Sequence, residues 1–278
     1  MEMAKHPAEV FGFPIWIDSK EARIVRNKHW CPFANKTCDK KSRLINYPMG
    51  VCSVQFGNNV VALSPNRFLQ DGIVFKNIAD HYFNSRNDLL VFSEVGLRGI
   101  GNFDFVMVKH RQLSNVIEDF VVIEFQTGQT TGTGKLVDGL KDFMSGKAVD
   151  KKTYGFGLNM ADIWKRSFTQ ILNKGIVLEN WGHKIYWVVQ EPVYKNLLDR
   201  YNLNGMGYSE DYSTRFFIYD LRKKGNSYDL FNTRIESSTI DNLFRAFRYN
   251  PNLPSKDDFI NRLEGKIKQN AQLQLNFQ

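Results

Sequence analysis

Two short runs, FDFVMV at residues 103–108 and FVVIEF at residues 120–125, decide the fold. Both are rich in β-branched and aromatic residues and bracket a polar stretch centred on Ser114 and Asn115, which predicts a long β-hairpin. Each strand also carries one acid, Asp104 on the first and Glu124 on the second. A hairpin turning about Ser114–Asn115 brings Asp104 opposite residues 124–126. Glu124 and Gln126 are two apart, so both side chains leave the same face. The preceding run, LLVFSEVGL at residues 89–97, reads as a third strand with Glu94 inside an apolar stretch.

Acids are rare in apolar strands because burying an unpaired carboxylate is costly or forces its protonation. Asp104, Glu124, Gln126 and, from the neighbouring strand, Glu94 therefore form one expected polar cluster at the edge of a core. Clustered carboxylates repel unless a cation or a proton neutralises them. A hard divalent metal such as Mg²⁺ suits one or two carboxylates completed by waters and phosphate oxygens. The alternative is that each acid meets its own basic partner or sits at a strand end in water.

Outward from the hairpin, DGIVFKNIADHYF at residues 71–83 has helical spacing. Met160, Ile163, Trp164, Phe168, Ile171 and Leu172 mark one face of an amphipathic helix. Residues 184–190 (KIYWVVQ) predict a strand, followed by a helix with Pro192 in its first turn. Residues 215–221 and 228–231 predict further strands, and residues 238–248 and 256–269 predict two closing helices. The order is that of a mixed α/β core. Residues 127–135 (TGQTTGTGK) read as a polar loop with Lys135 available to a phosphate backbone. Its glycines do not fit a nucleotide-binding phosphate loop.

The chain has 278 residues, 42% of them hydrophobic and 24% charged, enough for a sizeable core and unlike a disordered tail. No run of about 18 apolar residues is present, so no transmembrane helix is expected. MEMAKHPAEVFGFPIW at residues 1–16 shows no secretory signal, and three cysteines suit a reducing compartment, so a bacterial-type cytoplasmic location is expected. The net charge of +8 allows a polyanionic partner without requiring one.

All three cysteines, Cys31, Cys38 and Cys52, fall in one proline-containing segment that reads as loops. The expected division is a loop-rich cysteine-containing lobe at residues 1–70 and a core with carboxy-terminal helices at residues 71–278. A small loop-rich lobe is where a structural metal can substitute for a core. The spacing lacks the paired Cys-x-x-Cys of common zinc ribbons, and three unrelated buried thiols are the plainer reading.

The acid on one strand followed by Glu-x-x on the next resembles the PD-(D/E)xK nuclease motif, with Gln126 where lysine is usual. Cys31-Pro32-Phe33, Cys38-Asp39-Lys40, Gly50-Val51-Cys52 and Ser64-Pro65-Asn66-Arg67 occur in the order of the blocks of the NotI-type restriction endonucleases. That family's catalytic set, an Asp followed by Glu-x-Gln, is similar to Asp104, Glu124 and Gln126, and Glu94 falls where the family has an acid before the hairpin. The later WKRSFTQIL and IYWVVQEPVYKNLL are similar too, so the resemblance runs from Phe11 to about Leu198.

The resemblance implies a type II restriction endonuclease that hydrolyses double-stranded DNA with Mg²⁺ held by Asp104 and Glu124. It implies a two-fold homodimer matched to a palindromic site. It also implies a structural iron held by four cysteines, and here the fourth position is Ser64, whose hydroxyl is a poor ligand beside thiolates. Cys31, Cys38 and Cys52 would then bind iron or zinc with Ser64 or His29 as fourth donor, or not at all. Two other readings fit the same residues: a repair or recombination nuclease that cuts by structure, and a non-catalytic basic DNA-binding protein.

Overall fold

The computed structural model describes residues 3–112, 114–203 and 206–269. Its amino-terminal part is more regular than its sequence suggests. Strands β1 (Lys5–Val10) and β2 (Phe13–Pro14) precede helix α1 (Lys20–Asn27), and a short hairpin of β3 (Trp30–Cys31) and β4 (Lys36–Thr37) carries the first cysteines. Strands β5 (Val51–Phe56) and β6 (Asn59–Ala62) complete an antiparallel sheet of order β2-β1-β5-β6. The segment expected to be loop-rich therefore contains a four-stranded sheet. Its strands carry His6, Pro7, Glu9, Ser53 and Gln55 among the apolar residues, which hides their alternation.

The large sheet follows. A 3-10 turn at Pro65–Gly72 leads into α2 (Ile73–Ile78), which continues as a π-helical turn to Phe83. Then come β7 (Leu89–Leu97), β8 (Gly101–His110) and β9 (Ile117–Gln126). After β9 the chain forms β10 (Thr130–Thr131), α3 (Thr133–Met144), β11 (Gly157–Leu158) and the long α4 (Met160–Asn180). It closes with β12 (Lys184–Gln190), α5 (Glu191–Tyr201), β13 (Thr214–Lys224), β14 (Ser227–Ser238), α6 (Ile240–Arg248) and α7 (Lys256–Lys268). The sheet has six strands in the order β14-β13-β12-β9-β8-β7. Its centre, β9-β12-β13, is parallel, and antiparallel hairpins flank it on both sides.

Parallel central strands must be covered on both faces. Val122, Ile185, Trp187, Val189, Phe216 and Ile218 pack on one face with Ile163, Trp164 and Ile171 of α4 and Val193 and Leu197 of α5. Val121, Ile123, Phe125, Tyr186, Val188, Phe217 and Tyr219 pack on the other with Phe68, Val74 and Ile78. The first core also takes in Val10, Phe11, Val51, Val54 and Leu63, so apolar packing runs without a break across residue 70. Gln190 at the end of β12 donates to Val60 O at 2.6 Å and accepts from Ala62 N–H at 2.7 Å. Gly128, just past β9, donates its N–H to Ala62 O at 2.8 Å. The result is a mixed α/β fold with seven α-helices among the described residues.

Candidate active site

The β8–β9 hairpin pairs Phe105 with Ile123 and Val106 with Val122. Carried one residue further, the same register sets Asp104 against Glu124. The turn is closed by Arg111 N–H to Val116 O at 3.0 Å and by Val116 N–H to Ser114 Oγ at 3.1 Å. Asp104 Oδ2 accepts the Phe125 N–H at 2.8 Å, which fixes the carboxylate across the two strands. Burial raises the Asp104 carboxyl above its ordinary range, with Glu94 adding a smaller push the same way. Glu124 is 1% exposed, and burial followed by the nearby Asp104 charge pushes its carboxyl up to about 7.

Glu94 stands in line with these two on β7, since Ser93 pairs with Phe105 and Val95 with Phe103. It is exposed and has a left-handed φ of 54°, and its own pair with Asp104 is missing from the ladder. A non-glycine residue in that region of backbone space is held there at a cost. The structure thus places the three acids on adjacent strands, with only Asp104 and Glu124 enclosed.

The other wall of the site comes from α4, and the sequence reading missed it. Ser167, Gln170 and Lys174 follow one another at helical spacing along the side that meets β9. Ser167 Oγ donates to Gln126 Oε1 at 2.6 Å, and Gln126 Nε2 donates to Gln170 Oε1 at 3.4 Å. Lys174 Nζ donates to Glu124 Oε1 and to Asn102 O, both at 2.7 Å. Ser167 and Lys174 are 0% and 4% exposed. The available signal was their place in the apolar stripe of α4, seven residues apart among Ile163, Trp164, Ile171 and Leu178. A lysine in such a stripe needs a buried anion, and Glu124 is that anion.

The donor chemistry fits a hard divalent cation. Burial raises both carboxyls and the Asp104 charge raises Glu124 further, and Mg²⁺ prefers one or two such carboxylates completed by waters and phosphate oxygens. No group of three or more His, Cys, Asp or Glu residues disposed to hold a metal occurs among the described residues. That holds for Cys31, Cys38 and Cys52 and for Glu94, Asp104 and Glu124 alike. Cys52 is buried, accepts the Gly12 N–H at 3.3 Å and lies 3.6 Å from Gly50 O, and burial drives its thiol pKa upward. Cys31 Sγ accepts from Asn66 Nδ2 at 3.7 Å, while Cys38 is half-buried. The two residues considered as fourth donors each meet a cysteine through the backbone: Ser64 N–H donates to Cys52 O at 3.2 Å, and His29 O accepts the Cys38 N–H at 2.8 Å. Ser64 begins the 3-10 turn at Pro65, and the His29 ring stacks on Tyr47 at 5.3 Å.

The segment expected to be a polar loop is shorter than anticipated. Thr130 and Thr131 pair with Leu158 and Gly157, and α3 begins at Thr133. Lys135 lies on α3 with Asp138 3.8 Å away.

A family model described as Restriction endonuclease NotI matches residues 9–231. The chain belongs to that family of site-specific DNA-cleaving restriction enzymes, and its partner is DNA. A comparison with curated proteins found no match. Among the described residues, no helix is long and apolar enough to cross a membrane.

Proposed function

We propose that this chain is a type II restriction endonuclease of the PD-(D/E)xK kind, cutting double-stranded DNA with Mg²⁺ held by Asp104 and Glu124. The observation that carries the reading is Glu124, buried between a second carboxylate and the only lysine that the α4 stripe sends into the sheet. When bound, the cation lowers the pKa of a water and offsets negative charge at the phosphorus under attack.

The chain's own groups supply the rest. Lys174 holds Glu124 Oε1 at 2.7 Å, and Asp104 and Glu124 would together hold the cation. Its ammonium stands in for the lysine that the strand lacks at Gln126, placing fixed positive charge where the transition state gains negative charge. Ser167 and Gln170 fix the Gln126 amide, whose role is to orient the attacking water or a phosphate oxygen. An amide has no useful proton affinity near neutrality, so the proton of the attacking water passes to bulk water or to a phosphate oxygen of the substrate. Glu94 on the exposed side acts from outside this pair, on a second cation or on the first through water. Two chains related by a two-fold axis would present one such site to each strand of a palindrome.

Incubating the enzyme with plasmid DNA and Mg²⁺, then mapping the ends, tests this directly. Discrete fragments with one recurring end sequence are expected. A smear or structure-dependent nicking would point to a repair-type nuclease, and no cleavage with any divalent ion would point to a DNA-binding protein with structural acids.

A further inference from the structure

The side of α4 that meets β9 carries a row of polar residues running outward from the buried ion pair. Lys174 bonds Glu124, and Gln170 and Ser167 bond Gln126. One turn before Gln170, Arg166 donates through Nη2 to Gln129 Oε1. The helix and the end of β9 are thus matched step by step from the core to the surface. At the inner end a carboxylate neutralises the cation. At the outer end nothing does: Arg166 is exposed, and among the described residues only the neutral Gln129 amide bonds it.

Two features set this outer cation apart from a loose surface arginine. Asp162, four residues earlier, is its natural partner by helical spacing. That carboxylate instead accepts from Asn159 Nδ2 and has Lys165 Nζ 3.8 Å away. Gln129 is also fixed in place. Its carbonyl accepts the N–H of Asn159, the N-cap of α4, at 2.8 Å, and the adjacent Gly128 is tied to Ala62. An amide oxygen satisfies one guanidinium N–H without cancelling the charge, so the remaining donors stay available to a phosphate oxygen.

The place in the row decides which phosphate that is. Four residues of helix, about 6 Å, separate Arg166 from Gln170 along α4. Phosphates follow one another at about 3.4 Å of axis on each DNA strand. With the scissile phosphate at Gln126 and the two acids, Arg166 falls one or two phosphates further along. The geometry points to Arg166 as a clamp, aimed by Gln129, on a phosphate beside the scissile one in the strand being cut. This rests on the nuclease reading above. A phosphate contact carries no base information, but it fixes the register of the strand over the acids.

Binding and cleavage of the mapped cognate duplex by the full chain test it. In Ca²⁺ at several salt concentrations, Arg166→Ala should weaken binding about tenfold and reduce the salt slope by about one. Arg166→Lys should keep the slope. Gln129→Ala should lose affinity with the slope intact, because the charge remains. A duplex with one neutral methylphosphonate at the first or second phosphate beside the cut locates the contact. At one of these positions the wild type should lose binding as Arg166→Ala does, and that variant should lose nothing further. An unchanged slope in Arg166→Ala, or additive losses at every methylphosphonate, would overturn the proposal while wild-type cleavage leaves the nuclease reading standing. So would a change in the mapped end sequence, which would make Arg166 a reader of bases. If the wild type cuts no DNA with any divalent ion, the nuclease reading and this contact fall together.

Discussion

Lys174 Nζ lies 2.7 Å from Glu124 Oε1, with the two side chains 5% and 1% exposed, and joins helix α4 to the β8–β9 hairpin by a buried ion pair. Removing one member of such a pair leaves the other charge uncompensated in a medium that solvates it poorly. Lys174→Met should therefore lower the cleavage rate by about 100-fold or more, while binding of the cognate duplex in Ca²⁺ is retained. Lys174→Arg, which keeps the charge, should recover part of the rate. Single-turnover kinetics beside a gel-shift titration separate these effects, and equal loss of rate and affinity would remove Lys174 from the chemistry.

On the proposed reading, in which both acids would hold the cation, Asp104→Ala and Glu124→Ala should each abolish cleavage and spare DNA binding. Cutting by either variant in a plasmid assay with Mg²⁺ would sink their assignment.

The raised carboxyls give the metal-free enzyme a definite response to pH. Glu124 holds its proton up to about 7, against an ordinary value of 4.5. Its stabilising contribution is therefore complete below pH 4.5 and is lost as pH rises through 7, because the unfolded chain releases this proton earlier. The change is on the order of 1–3 kcal/mol. Melting curves in chelator should fall between about pH 4.5 and 7 and level off above, and Mg²⁺ at pH 8 should restore part of the loss. Asp104→Asn removes the neighbouring charge, so its curve should be flatter and less sensitive to Mg²⁺.

Ser167 makes a single neutral hydrogen bond to Gln126, so its removal should be mild. Ser167→Ala is expected to cost roughly 1 kcal/mol of transition-state stabilisation, close to a tenfold loss of rate. A loss as large as that of Asp104→Ala, measured in the same assay, would mean that Ser167 does more than hold the amide.

Among the described residues, Arg67 and Glu9 form a second enclosed ion pair, at 2.9 Å with both side chains 1% exposed. Arg67 also bonds Tyr228 O and Gln70 Oε1, and Ser53 Oγ donates to Glu9 at 2.7 Å. Arg67→Met should destabilise the chain by about 3–5 kcal/mol in denaturant unfolding, and adding Glu9→Gln should recover part of this.

The hairpin was legible because period-two alternation and two misplaced acids needed no distant partner to be noticed. Its consequence at the far wall was not. Lys174 looks like an ordinary helix lysine until Glu124, 50 residues earlier, is set beside it. The same reason hid the amino-terminal sheet, where Glu9 on β1 is satisfied by Arg67, 58 residues on. Strand β14 extends beyond residues 228–231 because Arg234 and Glu236 find Glu191 and Tyr194 on α5. Helix α3 was masked by glycines, of which Gly139 is needed for close approach: a Cβ there would lie 3.1 Å from Pro7 and 3.3 Å from Tyr154. Polar residues whose partners are remote in sequence read as loop until the fold supplies them.

The two latches on β6 tie the amino-terminal sheet to the site's geometry. Gly128 and Gln190 both grip the same short stretch, Val60 to Ala62, from the ends of the two central parallel strands. Gly128 has no space for a side chain, since a Cβ would fall 2.7 Å from Val61. Gln126 is only two residues from this anchor. The first sixty residues thus serve as a datum against which the end of β9 is set. An enzyme altered only at Val61 or Gly128, touching neither acid nor DNA, would fold with its chemistry out of alignment.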